Sequence, residues 1–245
     1  MLVLADATHT DTHAFLVAHP HAVALVPVGA LEAHGPHLPL ATDVIIAQGM
    51  ARRSAAALEE RGRAIALVPP ITYSVTHYAS GFAGTVGVSA EVATAHVRDV
   101  LRGFARAGFA RVVLVNAHLE PAHIATLRAA AQEASTGGFV AVVADKTEPR
   151  FARTLTDEYK RAECHAGSYE TSLVLAERPE LVHEARRAQL PPVAINLAQA
   201  MRAGKTTFAE AGAHEAYFGD PRKATPEEGE WIYARLVEMV LTVVE

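Results

Sequence analysis

Short apolar runs alternate with longer amphipathic stretches along this chain, and this alternation constrains the fold more than any other feature of the sequence. Short apolar runs bounded by Gly or Pro are typical of buried strands, and they occupy residues 23–28, 65–68, 111–115 and 139–144. Apolar residues at helical spacing occupy residues 44–61, 90–107, 121–134 and 226–244. Strands that alternate with helices predict an α/β fold in which a mainly parallel sheet carries helices on both faces.

The sequence contains no internal repeat and no Pro/Gly/Ser-rich linker, so we expect a single domain over residues 1–245. Pro27 lies inside the first apolar run and has no backbone N–H to donate to a neighbouring strand. The first strand is therefore expected at an edge of the sheet or beside a bulge.

Charge and composition disfavour several classes of function. The 22 Lys and Arg residues and 27 Asp and Glu residues give a net charge of −5. Without a basic run, the chain is a poor candidate to bind nucleic acid or an anionic membrane. No apolar stretch reaches the roughly 18 residues of a transmembrane helix, and the N-terminus lacks the pattern of a signal peptide. The single cysteine, Cys164, permits no intrachain disulfide, which fits a reducing compartment, and we expect a cytoplasmic protein.

Side chains that commonly bind metals follow two of the predicted strands. The first strand runs into Glu32 and His34, and Asp43 lies at the start of the next helix. The third strand ends close to His118 and Glu120. Residues two apart in an extended segment point to the same side, so each strand end presents one imidazole and one carboxylate together. The carboxyl ends of parallel strands are also where open α/β sheets bind their ligands.

This set of side chains suits a pair of divalent ions. Zinc, manganese and iron all accept His nitrogen together with Asp or Glu oxygen, and Asp43 has two oxygens with which to bridge two ions. Two ions about 3.5–4 Å apart can hold a hydroxide between them and polarise a carbonyl. The alternative is that these are polar loop residues that cap helices, with Asp43 favoured only by the dipole of the helix that it opens.

A third segment adds candidates for acid–base chemistry. His165 precedes a glycine and a predicted helix, and Glu170 lies inside that helix. Beside a metal site, His165 becomes a candidate acid that protonates a leaving nitrogen, and Glu170 becomes a further ligand or a partner of one. Without a metal site, the segment is an ordinary helix start with a hydrogen-bonded histidine. Cys164 has no identifiable base, and we expect a buried, unreactive thiol.

The sequence around these residues resembles the creatininase (creatinine amidohydrolase) family. The most specific stretch is residues 26–43, which read Val-Pro-Val-Gly-Ala-Leu-Glu-Ala-His-Gly-Pro-His-Leu-Pro-Leu-Ala-Thr-Asp. Further matches follow in the family's order at residues 81–85, 116–118, 165–172 and 219–225. The resemblance implies a three-layer α/β/α sandwich and two divalent metal ions per chain. It also implies hydrolysis of non-peptide or small cyclic C–N bonds and a homo-oligomer, which is a hexamer in several members.

The resemblance divides the ligands between two ions, the first held by Glu32, Asp43 and His118 and the second by His34, Asp43 and one more carboxylate. Glu120 matches the position of that carboxylate in creatininase itself. Many relatives must take it instead from the segment that contains Glu170. We favour Glu120 as the ligand and keep Glu170 as the alternative.

The resemblance also implies residues around the substrate. His165 matches the family histidine that lies over the substrate, where it holds the carbonyl or passes a proton to the leaving nitrogen; a free oxygen of Glu120 is the other candidate for that proton transfer. Four residues fall where the family lines its pocket, unless they only pack the loop: Tyr73, Ser74, His77 and Tyr78. Creatininase surrounds its substrate ring with tryptophans, but the only tryptophan here, Trp231, lies in the predicted last helix. Cys164 replaces a glutamate of creatininase.

We therefore predict a metal-dependent amidohydrolase that cleaves a non-peptide C–N bond of a small molecule, such as a lactam, cyclic amide or formamide, through a metal-bridging hydroxide. A planar cationic ring such as that of creatinine would lose its stacking partners. The alternatives are a peptidase of the same family that acts on a small modified peptide, a deformylase of nucleotide precursors, a metal-dependent lyase or isomerase, and a non-catalytic binding protein. A deformylase requires basic residues near the metals, for which the sequence offers Lys146, Arg150 and Arg153.

Overall fold

A five-stranded parallel sheet forms the centre of the computed structural model, which describes residues 1–245. Its strands are β1 (Leu2–Val3), β2 (Val23–Val28), β3 (Ile65–Leu67), β4 (Arg111–Asn116) and β5 (Val140–Ala144). They lie in the order β1-β3-β2-β4-β5, and all neighbouring strands are parallel. The four longer strands lie where they are predicted, which confirms those predictions. The sequence does not predict β1, because its two residues are too few to form a recognisable apolar pattern.

The four long predicted helices are confirmed, each with its ends within two residues of the expected positions, and the predicted helix around Glu170 is also present. In chain order the helices are α1 (His9–Ala18), α2 (Thr42–Glu60), α3 (Ala90–Ala107), α4 (Pro121–Ala134), α5 (Pro149–Ala152), α6 (Asp157–Lys160), α7 (Ser168–Glu177), α8 (Glu184–Arg187), α9 (Leu197–Arg202) and α10 (Pro226–Val244). Short 3₁₀ turns occupy Pro179–Leu181 and Pro221–Lys223. None of these helices is both long enough and apolar enough to cross a membrane.

The sheet separates two apolar cores, which confirms the α/β/α arrangement. Side chains alternate between the two faces of a strand. Val23 and Leu25 of β2 therefore pack into the core formed with α2, α7 and α10. Ala24 and Val26 pack into the core formed with α3 and α4 on the opposite face. All six residues of β2 are buried, as expected for a strand covered on both faces.

β2 lies at the centre of the sheet, so the edge position expected from Pro27 is wrong. Its register with β4 is also continuous, without a bulge. The Pro27 carbonyl accepts a hydrogen bond of 2.9 Å from the Ile71 N–H, and Pro27 therefore faces the β3 side. β3 has already ended at Leu67, so the missing N–H of Pro27 faces past the end of that strand and no ladder hydrogen bond is lost.

The connections after β2 and β4 bring the predicted ligands to one place. The chain leaves β2 for α2 on one face of the sheet and leaves β4 for α4 on the other face. Adjacent strands with diverging connections leave a crevice at their carboxyl ends, which is the usual ligand site of open α/β sheets. Both ligand-bearing loops begin at this crevice.

Gly229 permits the close packing of α10 on α7 beneath this crevice. A Cβ at Gly229 would lie 2.0 Å from the Ser172 carbonyl oxygen, so Gly229→Ala must push the two helices apart. We expect the free energy of unfolding, measured in urea with a chelator present, to fall by roughly 1–3 kcal/mol or more.

Gly103→Ala in α3 is the matched control, because the nearest atom to its added Cβ would be 3.9 Å away. This variant is expected to gain about 0.5–1 kcal/mol, the ordinary difference between Ala and Gly inside a helix. Equal effects of the two substitutions would contradict the packing argument.

Candidate metal centre

Seven side chains with metal-binding chemistry converge at the carboxyl ends of β2 and β4. Their ligand atoms form three overlapping groups, each within a span of 4.8 Å: Glu32, His118 and Glu120; His34, Asp43 and Glu170; Glu32, His34 and His165. The structure thus brings together all six ligands named from the sequence, and His165 lies beside them. The six are almost fully buried, with exposed fractions of 1 to 5%.

Gly29 allows the start of α2 to lie against the end of β2. A Cβ at Gly29 would lie 2.6 Å from the Val44 nitrogen and 2.9 Å from the Asp43 Cβ. Only glycine leaves room for this approach, which brings Asp43 to the same crevice as Glu32 and His34. The stretch of residues 26–43 therefore supplies the glycine that brings these side chains together as well as the candidate ligands themselves.

Asn116, the last residue of β4, fixes the backbone of His118. The Asn116 Oδ1 accepts a hydrogen bond of 3.1 Å from the His118 N–H, and the Asn116 Nδ2 donates one of 2.7 Å to the His118 carbonyl. This clamp directs the turn after β4, so that His118 and Glu120 both face the crevice. The role of Asn116 was not predicted from the sequence.

Asp43 lies between the two histidines and faces each with a different oxygen. Its Oδ1 is 3.6 Å from the His34 Nε2, and its Oδ2 is 3.0 Å from the His118 Nδ1. The His34 Nε2 is also 3.5 Å from the Glu170 Oε2, whereas the His118 Nδ1 is 3.3 Å from the Glu32 Oε1. Asp43 therefore presents a separate oxygen to each of the two imidazoles.

Hydrogen bonds on the far side of each ring fix which nitrogen faces the centre. The His34 Nδ1 donates to the Glu32 carbonyl at 3.1 Å, and the His118 Nε2 donates to the Val75 carbonyl at 3.0 Å. The His34 Nε2 and the Asp43 Oδ2 are buried and have no hydrogen-bond partner. Buried polar atoms normally have one, so these atoms and the mixed N/O donor set suit divalent cations.

Protons compete with cations for the same atoms. Burial alone would lower the pKa of His34, but Asp43 and Glu170 raise it to about 9. Burial raises the pKa of Glu170 to about 7, with Asp43 adding to the effect. Burial opposes the ionisation of Asp43, yet His118 and His34 hold its pKa well below the usual range. Metal binding at such a cluster must therefore release protons.

His165 forms one wall of the site, and a backbone carbonyl from a distant part of the sequence holds its ring. Its Nε2 donates to the Ala33 carbonyl at 3.0 Å, and its Nδ1 lies 3.7 Å from the Glu32 Oε1. Burial and the nearby His34 lower the pKa of His165 to about 4, so the ring is neutral at pH 7. Ala166 adopts a left-handed conformation at φ 51°, and its N–H donates to the Glu170 Oε2 at 2.7 Å.

A cavity of about 290 Å³ opens onto the ligands. Most of its wall is apolar, and the second half of the chain supplies much of that wall: Tyr159, Ala162, Leu197, Ala198, Met201 and Phe208. Met201 and Phe208 were not predicted, because isolated apolar residues between short helices give no periodic signal. Among the residues that line the cavity there is no lysine, arginine or tryptophan, and Trp231 lies on α10 with 42% exposure.

Of the four residues predicted to line a substrate pocket, only Tyr78 lies on this cavity. Tyr73 is 55% exposed elsewhere on the surface. Ser74 is buried and hydrogen bonds to the His123 Nδ1. His77 contributes its backbone N–H, which donates to the Glu120 Oε2 at 2.8 Å. These loop residues face the protein interior or solvent because the chain turns there to support the ligands.

His37 gives this region a measurable pH dependence. Burial and the neighbouring His34 and Arg187 lower the pKa of His37 to about 4, while its Nε2 bonds to the Thr171 hydroxyl at 2.9 Å. In the unfolded chain this histidine takes up a proton near pH 6.5, so its contribution to stability is present above that pH and is lost as the pH falls toward 4.

The stability advantage of the wild type over His37→Gln should therefore shrink by on the order of 3 kcal/mol between pH 7 and pH 4. Urea unfolding of both proteins with a chelator present measures this difference. A constant difference across the range would contradict a neutral, buried His37.

Proteins of one family resemble this chain over most of its length. The family model Creatininase, described as creatinine amidohydrolase, matches residues 5–244. A protein of Mycobacterium ulcerans named mycofactocin precursor peptide peptidase is 32% identical over 225 residues, which cover 87% of this chain and 81% of that protein. The creatinine amidohydrolase of Pseudomonas putida is 32% identical over 192 residues, which cover 72% of each chain.

The fold also matches that of a solved structure. A solved structure named "Creatininase Mn" superposes with a TM-score of 0.77 at 24% identity and covers 99% of this chain and 97% of that one. The sequence match, the fold and the arrangement of the signature residues agree. The chain belongs to the creatininase (creatinine amidohydrolase) family of hydrolases.

Proposed function

We propose that this protein hydrolyses an amide C–N bond with the help of two divalent ions, zinc or manganese or iron, and that its substrate is a small neutral molecule such as a lactam, cyclic amide or formamide. The observation that carries this proposal is the position of Asp43. Its two oxygens face His34 and His118, which belong to two different ligand groups. Membership in a hydrolase family supports the same reaction.

The grouping of the ligands supports a particular division between the two sites. Asp43 belongs to both; the first site adds Glu32, His118 and Glu120, and the second adds His34 and Glu170. This division supports Glu170, rather than the Glu120 favoured from the sequence, as the carboxylate beside His34. Glu120 then completes the site of His118.

Two divalent ions, when bound, lower the pKa of a water molecule and polarise the carbonyl that it attacks. His165 is placed to move the proton that hydrolysis requires at the nitrogen. Its Nε2 is committed to the Ala33 carbonyl, so its Nδ1 is the atom that can hold a proton and pass it to the leaving nitrogen. The neutral state of the ring at pH 7 leaves that atom free to accept it.

The cavity wall supports a neutral substrate with an apolar body. Apolar and aromatic side chains line the space above the ligands, and no lysine or arginine lines it. A phosphate or carboxylate group on the substrate would find no side-chain cation among the lining residues. The deformylase alternative requires basic residues near the metals, but Lys146, Arg150 and Arg153 all lie outside the cavity lining.

A peptidase that acts on a small modified peptide is the second candidate. The relative from Mycobacterium ulcerans carries such a name, and its match covers more of this chain than does the match to the Pseudomonas putida enzyme. An apolar cavity also accepts a modified peptide end. A homo-oligomer, hexameric in several relatives, and a cytoplasmic location accompany both candidates as predictions from the sequence.

Metal content per chain tests the two-site division. We expect about two ions in the wild type and about one in both Glu120→Gln and Glu170→Gln, because each variant removes a carboxylate from one site only. Asp43→Ala should lose both ions, since that residue serves both sites. Elemental analysis after loading with zinc or manganese measures these ratios. Two ions in Glu170→Gln and one in Glu120→Gln would restore Glu120 as the ligand beside His34 and Glu170 as a neighbour.

Substrate class is tested by amine release from neutral lactams, hydantoins and formamides, with blocked dipeptides and phosphorylated formamides in the same panel. We expect turnover of a neutral amide and a loss of 10²-fold or more in His165→Ala, since positioned proton transfer contributes 10²–10⁴-fold. Cleavage of peptides alone would favour the second candidate. A metal-loaded protein inactive on the whole panel would contradict both.

A further inference from the structure

We propose that residues 74–78, the support segment, position the ligands of one metal site only and so make the two sites unequal. This inference rests on the proposed two-site function. The support segment lies between β3 and α3, and every hydrogen bond it makes to a metal-ligand candidate goes to the group of Glu32, His118 and Glu120. Thr76 and Ser74 are the positioning residues that act through side chains.

Successive residues of the support segment hold the three ligands of this group. The Val75 carbonyl accepts from the His118 Nε2 at 3.0 Å. The Thr76 hydroxyl donates to the Glu32 Oε2. The backbone N–H groups of the next two residues, His77 and Tyr78, donate to the Glu120 Oε2 at 2.8 and 3.3 Å. Each carboxylate therefore has one oxygen fixed by the segment, and its other oxygen remains for a cation.

A second set of hydrogen bonds runs from the support segment to the backbone of His118. Ser74 bonds to the His123 Nδ1, and the His123 Nε2 donates to the Asn116 Oδ1 at 2.9 Å. The same Asn116 oxygen accepts from the His118 N–H. The His123 ring also packs against the His118 ring at 4.8 Å. His118 is thus held at its ring nitrogen, its ring face and its backbone.

The segment is itself fixed to the next loop. The Val88 N–H donates to the Ser74 carbonyl at 3.0 Å. A Cβ at Gly87 would lie 2.9 Å from the Thr76 carbonyl oxygen, so only glycine allows the two backbones to approach this closely. The backbone of the support segment is therefore packed directly against the backbone of the next loop.

The group of His34, Asp43 and Glu170 has no such platform. Its supporting bonds are that of the His34 Nδ1, which donates to the Glu32 carbonyl, and that of the Ala166 N–H, which donates to Glu170. Outer partners of metal ligands typically change affinity 10–100-fold when they are removed. Loss of a hydrogen bond from the support segment should therefore weaken the binding of one ion strongly and the binding of the other ion little.

The test is Thr76→Val, which keeps the side-chain shape and removes the hydroxyl that holds Glu32. The variant is made in two backgrounds, Glu170→Gln, which leaves the site of His118, and Glu120→Gln, which leaves the site of His34. Zinc affinity is measured by chelator competition, and the absorption spectrum of bound cobalt reports the ligand geometry. We expect affinity to fall 10–100-fold with an altered cobalt spectrum in the first background, and less than threefold in the second.

Two further variants separate positioning from general damage. Thr76→Ser retains the hydroxyl and should restore affinity and spectrum. Thr126→Val in α4 is the matched control, because that buried hydroxyl bonds only to the Ala122 carbonyl within the helix, and it should change neither.

If Thr76→Val loses zinc affinity equally in both backgrounds, or in neither, the inference is overturned while the two-site function stands. If Thr76→Val does not fold, Thr76→Ser and Ser74→Ala decide in the same backgrounds: Thr76→Ser is expected to keep full affinity and Ser74→Ala to weaken only the site of His118. Absence of any bound zinc in the wild type would overturn the proposed function together with this inference.

Discussion

Four carboxylates buried within a few ångströms of one another impose the constraint on which the rest of the structure depends. Glu32, Asp43, Glu120 and Glu170 are each at most 5% exposed. An ionised carboxylate is costly to bury without a compensating charge, and the two central histidines each turn a ring nitrogen toward these oxygens. Two divalent ions would cancel the four charges. In the chain alone, protons on His34 and His118 offset part of this charge, since the carboxylates raise the pKa of both rings, and cations would take the place of those protons.

The two central strands of the sheet lead into four of the six candidate ligands, which are Glu32, His34, His118 and Glu120. β2 and β4 lie side by side at the centre, each with a helical layer on both faces. Gly29 brings the start of α2 onto the end of β2, and Asn116 fixes the turn after β4. Repulsion among the carboxylates consequently acts against the two cores of the protein rather than against a flexible loop.

The convergence of Glu32 and His34 could be predicted from the sequence because their arrangement is local. Glu32 and His34 stand two apart after one strand, and the side-chain alternation of extended backbone settles their common direction. The role of Thr76 was not predictable, since its partner Glu32 lies 44 positions away and a lone hydroxyl in a loop carries no spacing signal. The error over Pro27 has the same cause: whether a missing N–H matters depends on where β3 ends, which the local sequence does not reveal.

The two halves of the crevice serve different purposes. Residues 74–78 hold ligands, and of these only Tyr78 reaches the cavity, whereas His165, Met201 and Phe208 from the second half of the chain form its wall. Changes in that wall alter what fits above the ions without disturbing the hydrogen bonds to Glu32 and His118. Two relatives of this chain are named for substrates as different as a precursor peptide and creatinine. Most of the candidate ligands come from the first half of the chain, and much of the apolar wall comes from the second half.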